Sequence, residues 1–375
     1  MENVHTNFDY PTLDPKNTVQ GWYFTDAEIA TATRAENPQM LQATLYFPTG
    51  KFSGGECKKC NLGCIDCYTE AKDKAKRRNI EGPLRDVLSL TEYYQTIDNC
   101  KRLGTKTVNL VGEGEPTLYP YFREIVRYIH QQNMIPLVAT NGITLTEQPD
   151  LADFLYEHNV TIAIKIRSFD KKFQDVIVKR RWYADDRDKA LSLLIEKGFN
   201  VPTPTRLMAN ILANNYTEDI LNIYRWCRER NIIPEVADYL EMGQTEGGKL
   251  KDFSAIKNNL NLTPTEKETY LQRLQPLDHD QKVRLMQGAI AIDKEFWIER
   301  NINVPCAYYN GMPCTQWMWV LIDERGYLYH CVGTEKVIGH IQETTLEELY
   351  HTMEMRENVK NLKGCPYKEF FRSKQ

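Results

Sequence analysis

The stretch Cys57-Lys-Lys-Cys60-Asn-Leu-Gly-Cys64-Ile-Asp-Cys67-Tyr68 follows the apolar run Ala43–Phe47 and gathers four thiols into one short loop. Where parallel strands are joined by helices, the loops leaving the C-terminal ends of the strands carry the chemistry. A strand that runs into a cysteine-rich loop therefore predicts both an architecture and the end of it that matters.

Outward from that loop the chain alternates. Apolar runs at Thr107–Val111, Ile135–Ala139, Thr161–Ile166, Arg206–Leu212 and Ile233–Tyr239 read as strands, with amphipathic helical stretches between them. The first of those helices opens on Ser89-Leu-Thr-Glu92, a capping box, and Gly104 closes it. Six strands with intervening helices make an α/β chain with a parallel sheet. No G-x-G-x-x-G follows the first strand, so a (β/α)6 partial TIM barrel is expected rather than a dinucleotide fold.

Residues 244–300 break the rhythm. Gln244-Thr-Glu-Gly-Gly248 is followed by a helix start at Thr263-Pro-Thr-Glu266, where cap, first-turn proline and reciprocal glutamate coincide. Beyond it, Trp317–Ile322 and Tyr327–Cys331 flank Asp323-Glu-Arg-Gly326 as a β-hairpin. The expected organisation is a leader or wrap at 1–40, a barrel at 41–243, a helical bridge at 244–300, and a small C-terminal α+β domain of hairpin plus helix at 301–375.

With 375 residues, net charge −4, 42% apolar and 26% charged residues, the composition is that of an ordinary globular protein. No run approaches the roughly 18 apolar residues of a membrane helix, and Met1–Asn17 shows no basic start with an apolar stretch. A cytoplasmic protein with no membrane partner is expected. The charge balance argues against general nucleic-acid binding, and Lys74-Ala-Lys-Arg-Arg78 reads as a solvated helix face. Ten cysteines, clustered rather than spread, point in a reducing compartment to metal rather than disulfides.

Cys60, Cys64 and Cys67 can occupy three corners of a [4Fe–4S] cube and leave the fourth iron open to a chelating ligand. With this C-x3-C-x2-C loop after its first strand, the chain resembles the radical S-adenosylmethionine (SAM) superfamily over roughly residues 41–240. Tyr68 is similar to the ring that packs by the adenine in that family. Gly112-Glu-Gly-Glu-Pro116 resembles its glycine–glycine–glutamate–proline segment, with Glu113 in place of a glycine and Gly114 and Glu115 retained. Glycine permits close backbone approach, and the Glu115 carboxylate can accept hydrogen bonds from the ammonium of a bound methionine moiety. Thr140, Asn141 and Ser168, with Lys165 and Arg167 as neighbours, fall where the family contacts the ribose and carboxylate of SAM. Asn141-Gly142 is also an ordinary turn, and polar residues commonly end strands.

Cys314 and Cys331 around Gly326, with Cys306 before and Cys365 after, resemble the twitch or SPASM appendage and its auxiliary [4Fe–4S] cluster. The residues themselves also suit a four-cysteine zinc site stapling a small domain. Cys57 offers the first loop a fourth thiol, so zinc or a closed electron-transfer cluster remains an alternative there. Cys100 and Cys227 lie in helical stretches and read as buried residues. Scattered histidines, with no H-E-x-x-H, G-x-S-x-G or phosphate-loop pattern, remove the usual support for hydrolase and nucleotide-triphosphatase chemistry.

The resemblance implies reductive cleavage of SAM to methionine and a 5′-deoxyadenosyl radical, hydrogen abstraction from a substrate C–H, and oxidation or dehydrogenation with help from the auxiliary cluster. It implies an electron donor such as flavodoxin or ferredoxin, and because roughly 40 residues before the first strand are too few for a separate peptide-binding domain, a small natural-product-type substrate is expected. A peptide maturase that cross-links, epimerises or oxidises is the second reading; a non-catalytic iron–sulfur carrier or zinc-stapled scaffold is the third.

Overall fold

The computed structural model describes residues 15–22, 24–32, 39–52, 55–57, 60–67, 85–237, 250–298, 318–329 and 337–351, and the statements below concern these. Their strands are β1 (Gln42–Phe47), β2 (Gly50–Phe52), β3 (Gly55–Cys57), β4 (Thr107–Gly112), β5 (Ile135–Thr140), β6 (Thr161–Lys165), β7 (Leu207–Leu212), β8 (Ile233–Ala237), β9 (Trp319–Ile322), β10 (Tyr327–Tyr329) and β11 (Val337–His340). All six expected barrel strands form. They run in the order β1-β4-β5-β6-β7-β8, every neighbouring pair parallel. Helices Leu90–Arg102, Phe122–Gln131, Asp150–Glu157, Tyr183–Glu196 and Thr217–Arg228 make the crossovers. The apolar runs arise because both sheet faces are covered over most of their length.

The local signals act as read. Ser89 accepts from the Glu92 amide while the Glu92 carboxylate accepts from the Ser89 amide, and Gly104 leaves the helix at φ +91°. Thr263 and Glu266 form the same box ahead of helix Pro264–Arg273, and Asp278 with Gln281 forms a third before His279–Glu295. These two helices occupy the expected bridge.

The C-terminal hairpin is continuous with the barrel sheet. β9 lies parallel to β1 from Gln42 to Leu45, β10 returns antiparallel, and β11 adds a further strand. An open edge at β1 presents unpaired backbone groups, and β9 covers them. Buried Asp323 shapes the turn by accepting from the amides of Arg325 and Tyr327 and from the Tyr329 hydroxyl. No helix among the described residues is long and apolar enough to cross a membrane.

Two faces of the sheet are distinguished by period two. Val138, Ile162, Ile164, Leu207, Ala209, Ile211 and Val236 pack in the main core with residues of the helices. Leu137, Ala163, Met208 and Ile233 point the other way and meet Val19 and Trp22 of the N-terminal segment. That segment closes the lower, N-terminal end of the strands. Val19 bridges Thr205, Gln20 donates its amide to Thr205 and accepts from the Thr161 hydroxyl, and Trp22 meets Trp319 edge to face at 5.0 Å. Gly21, at φ +82°, has no room for a side chain, because a Cβ would lie 3.0 Å from Thr107 and Ile135. A buried network fastens the plug and the helical bridge together. Arg228 pairs with Asp293 at 2.8 Å and donates to Asn17 at 2.6 Å, while the Tyr224 hydroxyl donates to Asp293.

Candidate functional site

The cysteine loop lies over the C-terminal ends of the strands, docked on helix Lys171–Ile177. The Gly63 amide donates to Val178 at 3.0 Å and the Ile65 amide to Ile177 at 2.9 Å, with Ile65 buried against Phe173, Ile177 and Val178. A second support comes from beneath. A Cβ on Gly114 would stand 2.9 Å from Thr49, 3.0 Å from the Cys60 amide nitrogen and 3.2 Å from the Cys60 Cβ, so glycine there lets Cys60 rest on the end of β4.

Cys60, Cys64 and Cys67 form no disulfide with one another and are partly exposed. Burial raises the Cys60 thiol, helped by Glu115 and Cys67 and opposed by a Leu62 backbone hydrogen bond and by Lys165. The Cys64 thiol is pushed up by burial and by Asp66, against Lys165 and Arg167. The Cys60 and Cys64 thiols therefore keep their protons at neutral pH until a metal displaces them. Among the described residues no group of three Cys, His, Asp or Glu side chains is close enough to hold a single metal ion. A cubane spreads its cysteines over separate irons. Three uncrosslinked thiols in one docked loop, with Lys165 and Arg167 beside them to offset thiolate charge, fit an iron–sulfur cluster.

Glu115, Thr140 and Asn141 are brought into one hydrogen-bonded unit below the loop. Glu115 is 6% exposed and caps the short turn Pro116–Leu118. Its Oε1 accepts from the Thr140 hydroxyl at 2.6 Å and the Thr117 hydroxyl at 2.8 Å; its Oε2 accepts from the Asn141 amide at 2.8 Å. An ionised carboxylate offers about four lone-pair sites, so Oε2 keeps capacity for a further donor. The Asn141 side chain donates to Asn61, inside the cysteine loop, at 2.7 Å. Ser168 is not part of this unit. It is fully buried, its hydroxyl donates to Asp219, and its carbonyl accepts from Arg187.

Arg167 reaches the loop directly. Its Nε donates to Asp66, between Cys64 and Cys67, at 2.8 Å, with side chains only 14% and 4% exposed. Its Nη1 contacts the carbonyl and the side-chain oxygen of Asn210, whose amide donates to Glu235 at 2.8 Å. A polar chain thus runs from the cysteine loop across β6, β7 and β8. Asn61, Asp66, Asn210 and Glu235 are additions to the sequence reading. A signal for two of them existed, since Asn210 and Glu235 are polar residues that interrupt the apolar stretches Leu207–Leu212 and Ile233–Ala237.

Cys57 is buried at the end of β3, its thiol raised by burial to about 11; Cys100 and Cys227 are buried in the main core. Tyr68, the basic stretch 74–78 and the second cysteine set, Cys306, Cys314, Cys331 and Cys365, lie outside the described residues.

The radical SAM superfamily is matched by residues 57–227. A probable GTP 3′,8-cyclase of Methanopyrus kandleri is 24% identical over 217 residues, 58% of this chain and 60% of the relative. An S-adenosyl-L-methionine-dependent tRNA 4-demethylwyosine synthase of Methanocaldococcus jannaschii is 24% identical over 189 residues, 50% of this chain and 57% of its own length. The chain therefore spans about three fifths of these curated relatives. SuiB of Streptococcus suis, crystallised with S-adenosylmethionine bound, shares the fold at 15% identity and TM-score 0.57, over 86% of this chain and 68% of its own. Together with the docked three-cysteine loop at the mouth of a parallel βα sheet, these likenesses make residues 57–227 a radical SAM domain.

Proposed function

We propose that the chain is an enzyme holding a [4Fe–4S] cluster on Cys60, Cys64 and Cys67 and SAM at the mouth of the barrel, and that it oxidises a small natural-product-type substrate. The observation that carries this reading is the seating of the cysteine loop by Gly114 below and Arg167 beside it, next to the Glu115 unit. When bound, the cluster and SAM would supply the chemistry of reductive SAM cleavage and of hydrogen abstraction from a substrate carbon.

The protein's own contribution is position and exclusion of water. Lys165 and Arg167 offset the negative charge of the loop. Glu115, held by three residues from two strand ends, has its orientation fixed and one oxygen with capacity for an ammonium donor. Val19 and Trp22 close the lower end of the sheet's inner face, so a substrate enters from the cysteine-loop end. This enclosure is what favours a small substrate.

A further cluster on Cys306, Cys314, Cys331 and Cys365 supports the oxidative outcome, on spacing alone, with a flavodoxin- or ferredoxin-type donor providing electrons. Anaerobic reconstitution of the full chain tests all of this. Two cubanes give roughly eight irons per chain and one gives four. Reductant-dependent 5′-deoxyadenosine that disappears in Cys60→Ala, Cys64→Ala and Cys67→Ala supports the enzyme; stoichiometric zinc, or a cluster inert to SAM, overturns it.

A further inference from the structure

The inner face of the sheet carries a recognition element of its own. Above the plug, Val111, Ala139, Lys165, Asn210 and Glu235 are partly exposed positions in strands that are otherwise almost entirely buried. Each lies two residues beyond an inward-facing residue, Asn109, Leu137, Ala163, Met208 and Ile233 respectively, of which the last four meet the plug. Period two therefore sets all five on the inner face. Lys165, Asn210 and Glu235 are direct register partners on adjacent strands. The accessible belt is thus apolar on the β4–β5 side and polar on the β6–β8 side.

The charges of that belt are unequally matched. Lys165 acts on the thiols of Cys60 and Cys64, and Arg167 is paired with Asp66. Glu235 has a neutral partner, the Asn210 amide, and no described lysine or arginine acts on it; burial raises its carboxyl. A carboxylate recessed on the inner face with one amide donor is under-compensated, and a cation that meets it stabilises it. Asn210 is itself fixed from behind by Arg167, so the carboxylate is held in a set orientation.

We propose that Glu235 is a subsite for a protonated amine of the substrate, with Asn210 as its positioning residue and the Val111–Ala139 wall receiving the apolar or ring carbon beside it. The assignment rests on the barrel reading above and deepens it, naming an amino-bearing substrate.

Calorimetric titration of the full chain, without SAM or reductant, tests it. The probes are cyclohexylamine for a small amine, Nα-acetyl-lysine amide for a lysyl side chain, and cyclohexanol as the neutral isostere. The expected result is millimolar or tighter binding of at least one amine, no comparable binding of the alcohol, and an affinity loss of about tenfold or more in Glu235→Gln. The stronger amine identifies the source. Equal binding of amine and alcohol, unchanged affinity in Glu235→Gln, or no amine binding by the wild-type chain overturns the subsite. Should Glu235→Gln fail to fold, carbodiimide-driven amidation of wild-type Glu235 by glycine amide, read by peptide mass, replaces it. Cyclohexyltrimethylammonium, a cation that cannot itself couple to the activated carboxyl, must slow that labelling and cyclohexanol must not. Amine binding alongside absent SAM cleavage would defeat the proposed enzyme alone, and cleavage without amine binding would defeat the subsite alone.

Discussion

Arg167→Met breaks the contact between β6 and the cysteine loop. The pair it removes is nearly dry, with the Asp66 side chain 4% exposed and the Arg167 side chain 14%. Asp66 Oδ1 takes no hydrogen bond among the described residues, so Oδ2 and its guanidinium partner carry the compensation of that charge. Breaking a buried pair by removing one member costs about 3–5 kcal/mol, mostly the price of the stranded charge. An unfolding entropy of about 2.1 cal/mol/K per residue gives a chain of this length ~0.8 kcal/mol/K, so the melting temperature should fall by about 4–6 °C. Asp66→Asn in the same background removes the stranded charge, and the double variant should recover about half of the loss. Scanning calorimetry of the four proteins closes the cycle, and iron content after reconstitution reads the functional side. Arg167→Met should load less iron, because the turn between Cys64 and Cys67 has lost its tether. Additive effects, or a single variant melting within about 1 °C of wild type, would refute the clamp.

Asp293→Ala leaves Arg228 buried without its counterion and loosens plug and bridge together; a fall in melting temperature of about 4–6 °C is expected, and proteolysis should report release of the N-terminal segment. Gly114→Ala forces a methyl against the Cys60 backbone and should destabilise by about 1–3 kcal/mol while lowering iron occupancy, measured by calorimetry and iron assay. Ser89→Ala removes one half of a capping box, costing about 1 kcal/mol and ~1 °C with iron loading untouched. Because burial raises Glu235 above its ordinary 4.5, the folded chain holds that proton more tightly than the unfolded chain, and the stability it contributes declines as pH climbs from 4.5 through the raised value. Glu235→Gln should flatten this decline and gain on wild type as pH rises above 4.5; parallel melting curves at every pH would count against it.

The strands were legible because burial on both faces forces continuous apolar runs, as in Thr161–Lys165 and Leu207–Leu212. Helix starts were legible because a capping box is local chemistry, completed within four residues at Ser89 and Thr263. The cysteine spacing was legible for the same reason. What escaped depends on pairings between distant parts of the chain. Asp66 and Arg167 are separated by 101 positions, and neither carries a periodic signature. The N-terminal plug reads as polar and turn-rich; its role appears only when Val19 and Trp22 meet residues of four strands. The hairpin was visible, but its attachment to β1 was not, since edge pairing is chosen by the fold rather than by the hairpin's own residues. Ser168, named on the family resemblance, is likewise held by a residue 51 positions away, its hydroxyl donating to Asp219, a pairing that no local signal announces.

The central claim is that three thiolates hold the cluster and leave one iron for SAM. Electron–nuclear double resonance of the reduced, reconstituted chain with SAM labelled at its amino nitrogen and carboxylate oxygen measures this directly. Couplings from both labels to the cluster in the wild-type chain are predicted, retained when Cys57 is replaced by alanine. A cluster that shows neither coupling, or whose fourth iron is held by Cys57, would contradict the account.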